Sequence, residues 1–266
     1  MQPFSCRWLA ALIFGNLCLC FSNSGIAAVT PLTSQQCLHM QQQKTLSADN
    51  PIPCSRLMQV SFAYVDFNGS RHDDGLVVVL DVVALQVQAI FDTLLTRGFP
   101  LQQALPMEAY NGDDQAAMQA NNTSAFNGRP ITGGNTWSKH AYGVAIDINP
   151  RQNPYLSNIG AQYTILLPAT SDEFATRKPL RPGMVESVRD VFFRHGFLVW
   201  GGTWHEPVDY QHFEIGSRAF INKLLLLPLA SARQLFQSYI NTYANCLQDS
   251  TPSSEQNDIC ARQSRH

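Results

Sequence analysis

The chain reads as an α+β protein, a small antiparallel sheet flanked by helices, and three observations predict this. Gln59 to Phe67 and Leu76 to Leu80 are apolar, alternating runs joined through Asn68-Gly69-Ser70, the pattern of an antiparallel hairpin. A helical period follows at once, with Leu85, Val87, Ile90, Phe91, Leu94 and Leu95 on one face and Gly98 as its stop. No regular strand-helix-strand alternation comes after it, which argues against a doubly wound parallel sheet.

Taken from the start, Arg7 supplies a positive region, Trp8 to Phe21 an apolar run too short to span a bilayer comfortably, and Gly25-Ile26-Ala27-Ala28 small residues suited to cleavage. Residues 1–28 are therefore expected to be a cleaved signal peptide; the competing reading is an uncleaved anchor. Residues 29–57 are polar and broken by Pro31, Pro51 and Pro53, which predicts an irregular arm pinned by its cysteines rather than a core element. The main domain is expected over residues 58–226. Gly112-Asp113-Asp114 and Asn121-Asn122-Thr123-Ser124 mark a long loop region leading to Arg129. Tyr142, Val144, Ile146 and Ile148 alternate with Gly143, Ala145 and Asp147, so a strand is expected to carry Asp147 near one end, with His140 at its entrance. Met184 to His195 has a helical pattern stopped by Gly196, and Phe197 to Trp200 reads as a short strand. Within residues 227–266, Leu235, Tyr239, Ile240 and Tyr243 define a terminal amphipathic helix, followed by a polar tail expected to be mobile.

Cys37, Cys54, Cys246 and Cys260 remain once the leader is removed, an even number that suits two disulfides in an exported chain. Three pairings are open; local closure, Cys37 with Cys54 and Cys246 with Cys260, is the simplest. The absence of CxxC spacing disfavours a metal cluster built on these thiols. With 18 Lys and Arg against 20 Asp and Glu and no basic run, the chain is a poor partner for nucleic acid or an anionic membrane. After leader removal no stable membrane insertion is expected, and the protein is read as a monomer.

The chemistry-bearing residues are His140, Asp147 and His212. Two imidazoles and one carboxylate form a three-ligand set that leaves the fourth tetrahedral position of a single zinc ion open to water. Asp209 lies three residues before His212 and is the candidate base. His205-Glu206 begins like the helical HExxH signature, but position 209 is Asp and Pro207 interrupts the helix, so that reading is rejected. His39, His72 and His195 read as ordinary structural or surface histidines, and Trp200 as core.

Ser138-x-His140-x-x-Gly143-x-Ala145-x-Asp147, with Trp200-Gly201-Gly202 and Asp209-Tyr210-Gln211-His212-Phe213-Glu214, resembles the M15 family of zinc D-alanyl-D-alanine peptidases. The resemblance spans roughly Gly75 to Ile215. It implies an α+β fold whose antiparallel sheet supports the zinc, and a substrate in the stem peptides of bacterial peptidoglycan. It further implies zinc on His140, Asp147 and His212, with Asp209 as the general base toward zinc-bound water. Ser138 is expected to orient a ligand. Arg129, matching an arginine upstream of the first ligand, is expected to hold a substrate carboxylate or the developing oxyanion, with Ser124 beginning that stretch. Glu214 is the fallback base or an outer partner of His212, and Tyr142 and Trp204 are candidates to line the peptide groove. The leading expectation is an exported, periplasmic or secreted, D,D-carboxypeptidase. An L-alanyl-D-glutamate endopeptidase, a secreted effector peptidase and a zinc-binding module without turnover are the alternatives.

Overall fold

Leu57–Val65 (β2) and Arg71–Leu80 (β3) form the expected hairpin, with a register shift between Phe62 and Tyr64. Their inner faces are Val, Leu and Phe side chains that a half-buried strand favours. Ala84–Thr96 (α2) lays Val87, Ile90, Phe91 and Leu94 against this sheet, and the Phe91 ring stacks on Phe62 with centroids 3.7 Å apart. The computed structural model describes residues 27–131, 134–159, 163–248 and 253–265. Residues 1–26 of the expected leader lie outside the described residues.

The segment over residues 29–57 is not the irregular arm that its prolines suggested. Ala28–Pro31 (β1) adds a third antiparallel strand beside β2, and Ser34–Gln42 (α1) starts from a Thr33 capping box. Met40, Leu46 and Ile52 enter the core, and the Cys37–Cys54 disulfide ties the helix to the entry of β2. A few buried apolar anchors thus outweigh a polar average.

Two further three-stranded antiparallel sheets build the site. Ala145–Asp147 (β4), His212–Glu214 (β9) and Val199–Trp200 (β7) are ordered β4-β9-β7. Tyr155–Ile159 (β5), Tyr163–Leu167 (β6) and Val208–Asp209 (β8) are ordered β6-β5-β8. The strand expected from Tyr142 onward is confined to β4, because Lys139–Tyr142 forms a single tight helical turn and Gly143 takes φ +65°. A Cβ on Gly143 would also sit 2.6 Å from the backbone nitrogen of Leu80, so no larger residue fits this junction between β3 and β4.

Asp114–Gln119 (α3) and Asp172–Ala175 (α4) are short surface helices. The helix expected over residues 184–195 is split into a turn at Val185–Ser187 and Arg189–Arg194 (α5). Arg218–Leu226 (α6) and Leu229–Gln248 (α7) follow β9. The tail expected to be mobile contains Ser254–Ser264 (α8), held to α7 by Cys246–Cys260 and burying Cys260 and Ala261. Both disulfides therefore close locally, each worth about 3 kcal/mol in chain-entropy terms. Among the described residues no helix is long and apolar enough to cross a membrane.

Candidate metal centre

Register places the centre. In the β4–β9 ladder Asp147 faces His212 directly, so their side chains leave the sheet on the same side. His140 reaches the same point from the turn before β4, which is capped by Ser138: the His140 amide donates to Ser138 Oγ at 3.3 Å. Asp147 Oδ1 lies 2.9 Å from His212 Nδ1, Asp147 Oδ2 lies 3.2 Å from His140 Nε2, and the two imidazole nitrogens are 3.1 Å apart. These donors all lie within 4.8 Å of one another, and all three residues are buried. They can hold a metal ion.

The outer nitrogens are already committed. His140 Nδ1 donates to the Ala125 carbonyl, and His212 Nε2 lies 3.0 Å from Glu214 Oε2. A carbonyl only accepts, and Glu214 pairs as a carboxylate, so protons on the outer nitrogens turn the inner lone pairs toward the shared point. Burial opposes charge on His212, but Asp147 and Glu214 raise its pKa to about 10 without a metal, so metal competes there with a proton. Burial likewise pushes Asp147 up, and the two imidazoles reverse this and hold its carboxyl well below the usual range. Glu214 is also lowered against its burial, by His212 and by Lys139, whose Nζ donates to Glu214 Oε1 at 2.6 Å.

Asp209 ends β8 opposite Tyr155. A Cβ on Gly201 would fall 2.4 Å from the Asp209 carbonyl oxygen, so the Trp200-Gly201-Gly202 motif lets the strand that carries Asp209 pass close by. Asp209 Oδ1 is buried with no hydrogen-bond partner among the described residues. Burial, then the nearby Asp147 carboxylate, raises the Asp209 pKa to about 7.

His140, Asp147, Asp209, His212, Ser138, Arg129, Trp204 and Glu214 all line one cavity of about 400 Å³. Arg129 is tied there to Asp114 at 2.6 Å. Ser124 instead supports Asp147 through paired backbone hydrogen bonds of 3.0 and 2.8 Å, and Tyr142 packs against the core; neither lines the cavity. Trp204 stands 5.4 Å from the His212 ring. Glu214 Oε2 lies 3.0 Å from His212 Nε2 and its Oε1 accepts from Lys139, so both carboxylate oxygens are engaged. Trp200 is core and His205 is exposed in a run of bends ahead of β8, in keeping with rejection of the helical signature. Sequence reasoning missed Lys139 and Arg218. Lys139 lies between two motif residues and was passed over; Arg218 reaches the cavity only through the α6 turn.

No curated protein and no solved structure matches the chain. Residues 132–215 match an M15 peptidase family model described as D-alanyl-D-alanine carboxypeptidase. That stretch contains His140, Asp147, Asp209 and His212, and the match supports an M15-family peptidase.

Proposed function

We propose that the chain is an exported zinc metallopeptidase that hydrolyses peptidoglycan stem peptides, acting as a D-alanyl-D-alanine carboxypeptidase. One observation carries this reading: two imidazoles and a carboxylate converge within 4.8 Å, in the wall of a cavity that also contains Asp209. Two nitrogens and one oxygen suit zinc, and three protein ligands are the pattern of a catalytic rather than a structural ion. Bound there, zinc supplies a Lewis acid that polarises the scissile carbonyl and makes water acidic.

The chain's own residues complete the reaction. Asp209, ionised, accepts the proton of the attacking water at its unpartnered Oδ1 and returns it to the departing nitrogen. A pKa raised toward neutrality suits a group that must take and then give a proton. Glu214 and the Ala125 carbonyl keep the imidazoles turned inward. Arg129 keeps its buried Nε–H unpartnered and is assigned to the oxyanion. Two disulfides and the leader-like start of the sequence support export.

The test is to incubate the purified protein with a pentapeptide-bearing muropeptide, with and without chelator, and weigh the products. Loss of one alanine, abolished by chelator, is the expected result. An internal cut would replace the carboxypeptidase reading by the endopeptidase one, and no product from metal-loaded protein would overturn both.

A further inference from the structure

We infer that Arg218 is the residue that recognises a substrate carboxylate; this rests on the peptidase reading above and adds its specificity determinant. Three cations line the cavity: Arg129, Lys139 and Arg218. Two of them are already matched. Arg129 Nη2 pairs with Asp114 at 2.6 Å. Lys139 Nζ lies 2.6 Å from Glu214 Oε1 and also donates to the Gly216 carbonyl at 2.7 Å.

Arg218 has no such partner. Among the described residues no carboxylate pairs with it; its Nη2 donates to the Trp137 carbonyl at 2.6 Å, and its guanidinium lies 5.9 Å from the centre of the Tyr142 ring. The acidic groups that share the cavity are occupied elsewhere, Asp114 and Glu214 in the pairs above and Asp147 with two imidazoles. Asp209 is assigned to the proton. Arg218 is half-buried, so its charge is partly stripped of water, and it lines the cavity with no carboxylate paired to it among the described residues.

Its position makes it specific. Arg218 opens α6, four residues after the end of β9, and its bond to Trp137 ties it to the segment that leads into Ser138 and His140. The guanidinium is thus held between the two chain segments that carry the metal donors. Part of the ordering cost of gripping a ligand is met before the ligand arrives. A planar guanidinium matches a carboxylate through two parallel hydrogen bonds. The fitting substrate is a peptide with a carboxylate near the bond to be cut, supplied by its own C-terminus or by an acidic side chain.

Three synthetic stem peptides separate these sources: one with every carboxylate free, one with its C-terminus amidated, and one with its acidic side chain replaced by the amide. Steady-state cleavage is measured for the zinc-loaded wild type, Arg218→Gln and Arg218→Lys, with metal content and melting temperature as controls for folding. Wild type is expected to favour the free acid over one amidated peptide by roughly tenfold to a hundredfold in kcat/KM, as befits a charged hydrogen bond. The peptide that suffers identifies the carboxylate. Arg218→Gln should collapse that ratio through KM while keeping its zinc, and Arg218→Lys should restore part of it. The inference is overturned if wild type ignores both amidations, or if Arg218→Gln keeps the wild-type ratio. Should metal-loaded wild type cut none of the three, the peptidase reading fails separately, and calorimetric titration of the same peptides decides on Arg218. Tighter binding of the free acid, lost in Arg218→Gln, then sustains the inference; equal binding of acid and amides overturns it.

Discussion

Arg177 and Asp209 belong to adjacent polar clusters linked by Tyr210, whose ring lies 4.2 Å beneath the Arg177 guanidinium. Arg177 makes five hydrogen bonds: two to Glu186, one to Asn153 Oδ1, and one each to the Gln152 and Phe174 carbonyls. These bonds use all five N–H donors of the guanidinium. Around Asp209 the logic is reversed: three metal-capable donors crowd one point, and a buried carboxylate oxygen has no partner. Satisfied polar groups specify a structure, whereas buried groups left partly unsatisfied mark chemistry directed at something outside the chain.

The sharpest way to break this comparison is to remove a donor. Replacing His140, Asp147 or His212 by Ala should abolish zinc retention and stem-peptide hydrolysis together, read by metal analysis and product mass; full metal content in any of them would discard the three-donor assignment. Next in size, Asp209→Asn should keep its zinc and lower kcat by about 10²–10⁴-fold, the usual worth of a positioned base. Its pH behaviour has a definite sign. Without metal the folded carboxyl holds its proton up to about 7, above the ordinary Asp value of 3.8. Between those values the unfolded chain has released a proton that the folded chain keeps, so this group costs stability as pH rises. Thermal melts of chelated protein should therefore show wild type losing stability relative to Asp209→Asn across that window, and parallel curves would contradict the raised pKa.

The closed cluster should respond in the opposite way. Arg177→Met should leave zinc binding intact and cost about 3 kcal/mol by urea unfolding, because Glu186 loses its partner in a largely buried setting. A comparable loss of zinc would show that the two clusters are not separate. The smallest effect is expected from Glu214→Gln, which keeps the shape beside His212 but weakens its polarisation; zinc affinity should fall about 10–100-fold in competition with a chelator.

The site was legible in the sequence to different depths. His140, Asp147, Asp209 and His212 stood out because their chemistry requires those side-chain types and their spacing is local within two short motifs. The β2–β3 hairpin and α2 were readable because their apolar residues repeat with the period of the element. By contrast, α1 and α8 are polar on average and bury only a few of the described side chains, Met40 in one and Cys260, Ala261 and Ser264 in the other, so periodicity carries little signal. The β5–β6 hairpin went unread for a similar reason: over residues 155–158 and 165–167 no side chain is fully buried.

Sequence alone therefore determined the elements with strong periods, the metal-capable residue types and the even set of cysteines, since each of these is a local or compositional property. Only the tertiary structure decided that Asp147 stands opposite His212, that Asp114 and Glu214 neutralise Arg129 and Lys139, and that among the described residues Arg218 is left without an acid. Asp147 and His212 are 65 residues apart, Lys139 and Glu214 are 75, and Arg218 and Trp137 are 81. The free energy of a charge depends on what lies within a few ångströms of it, and over such separations chain order says nothing about that.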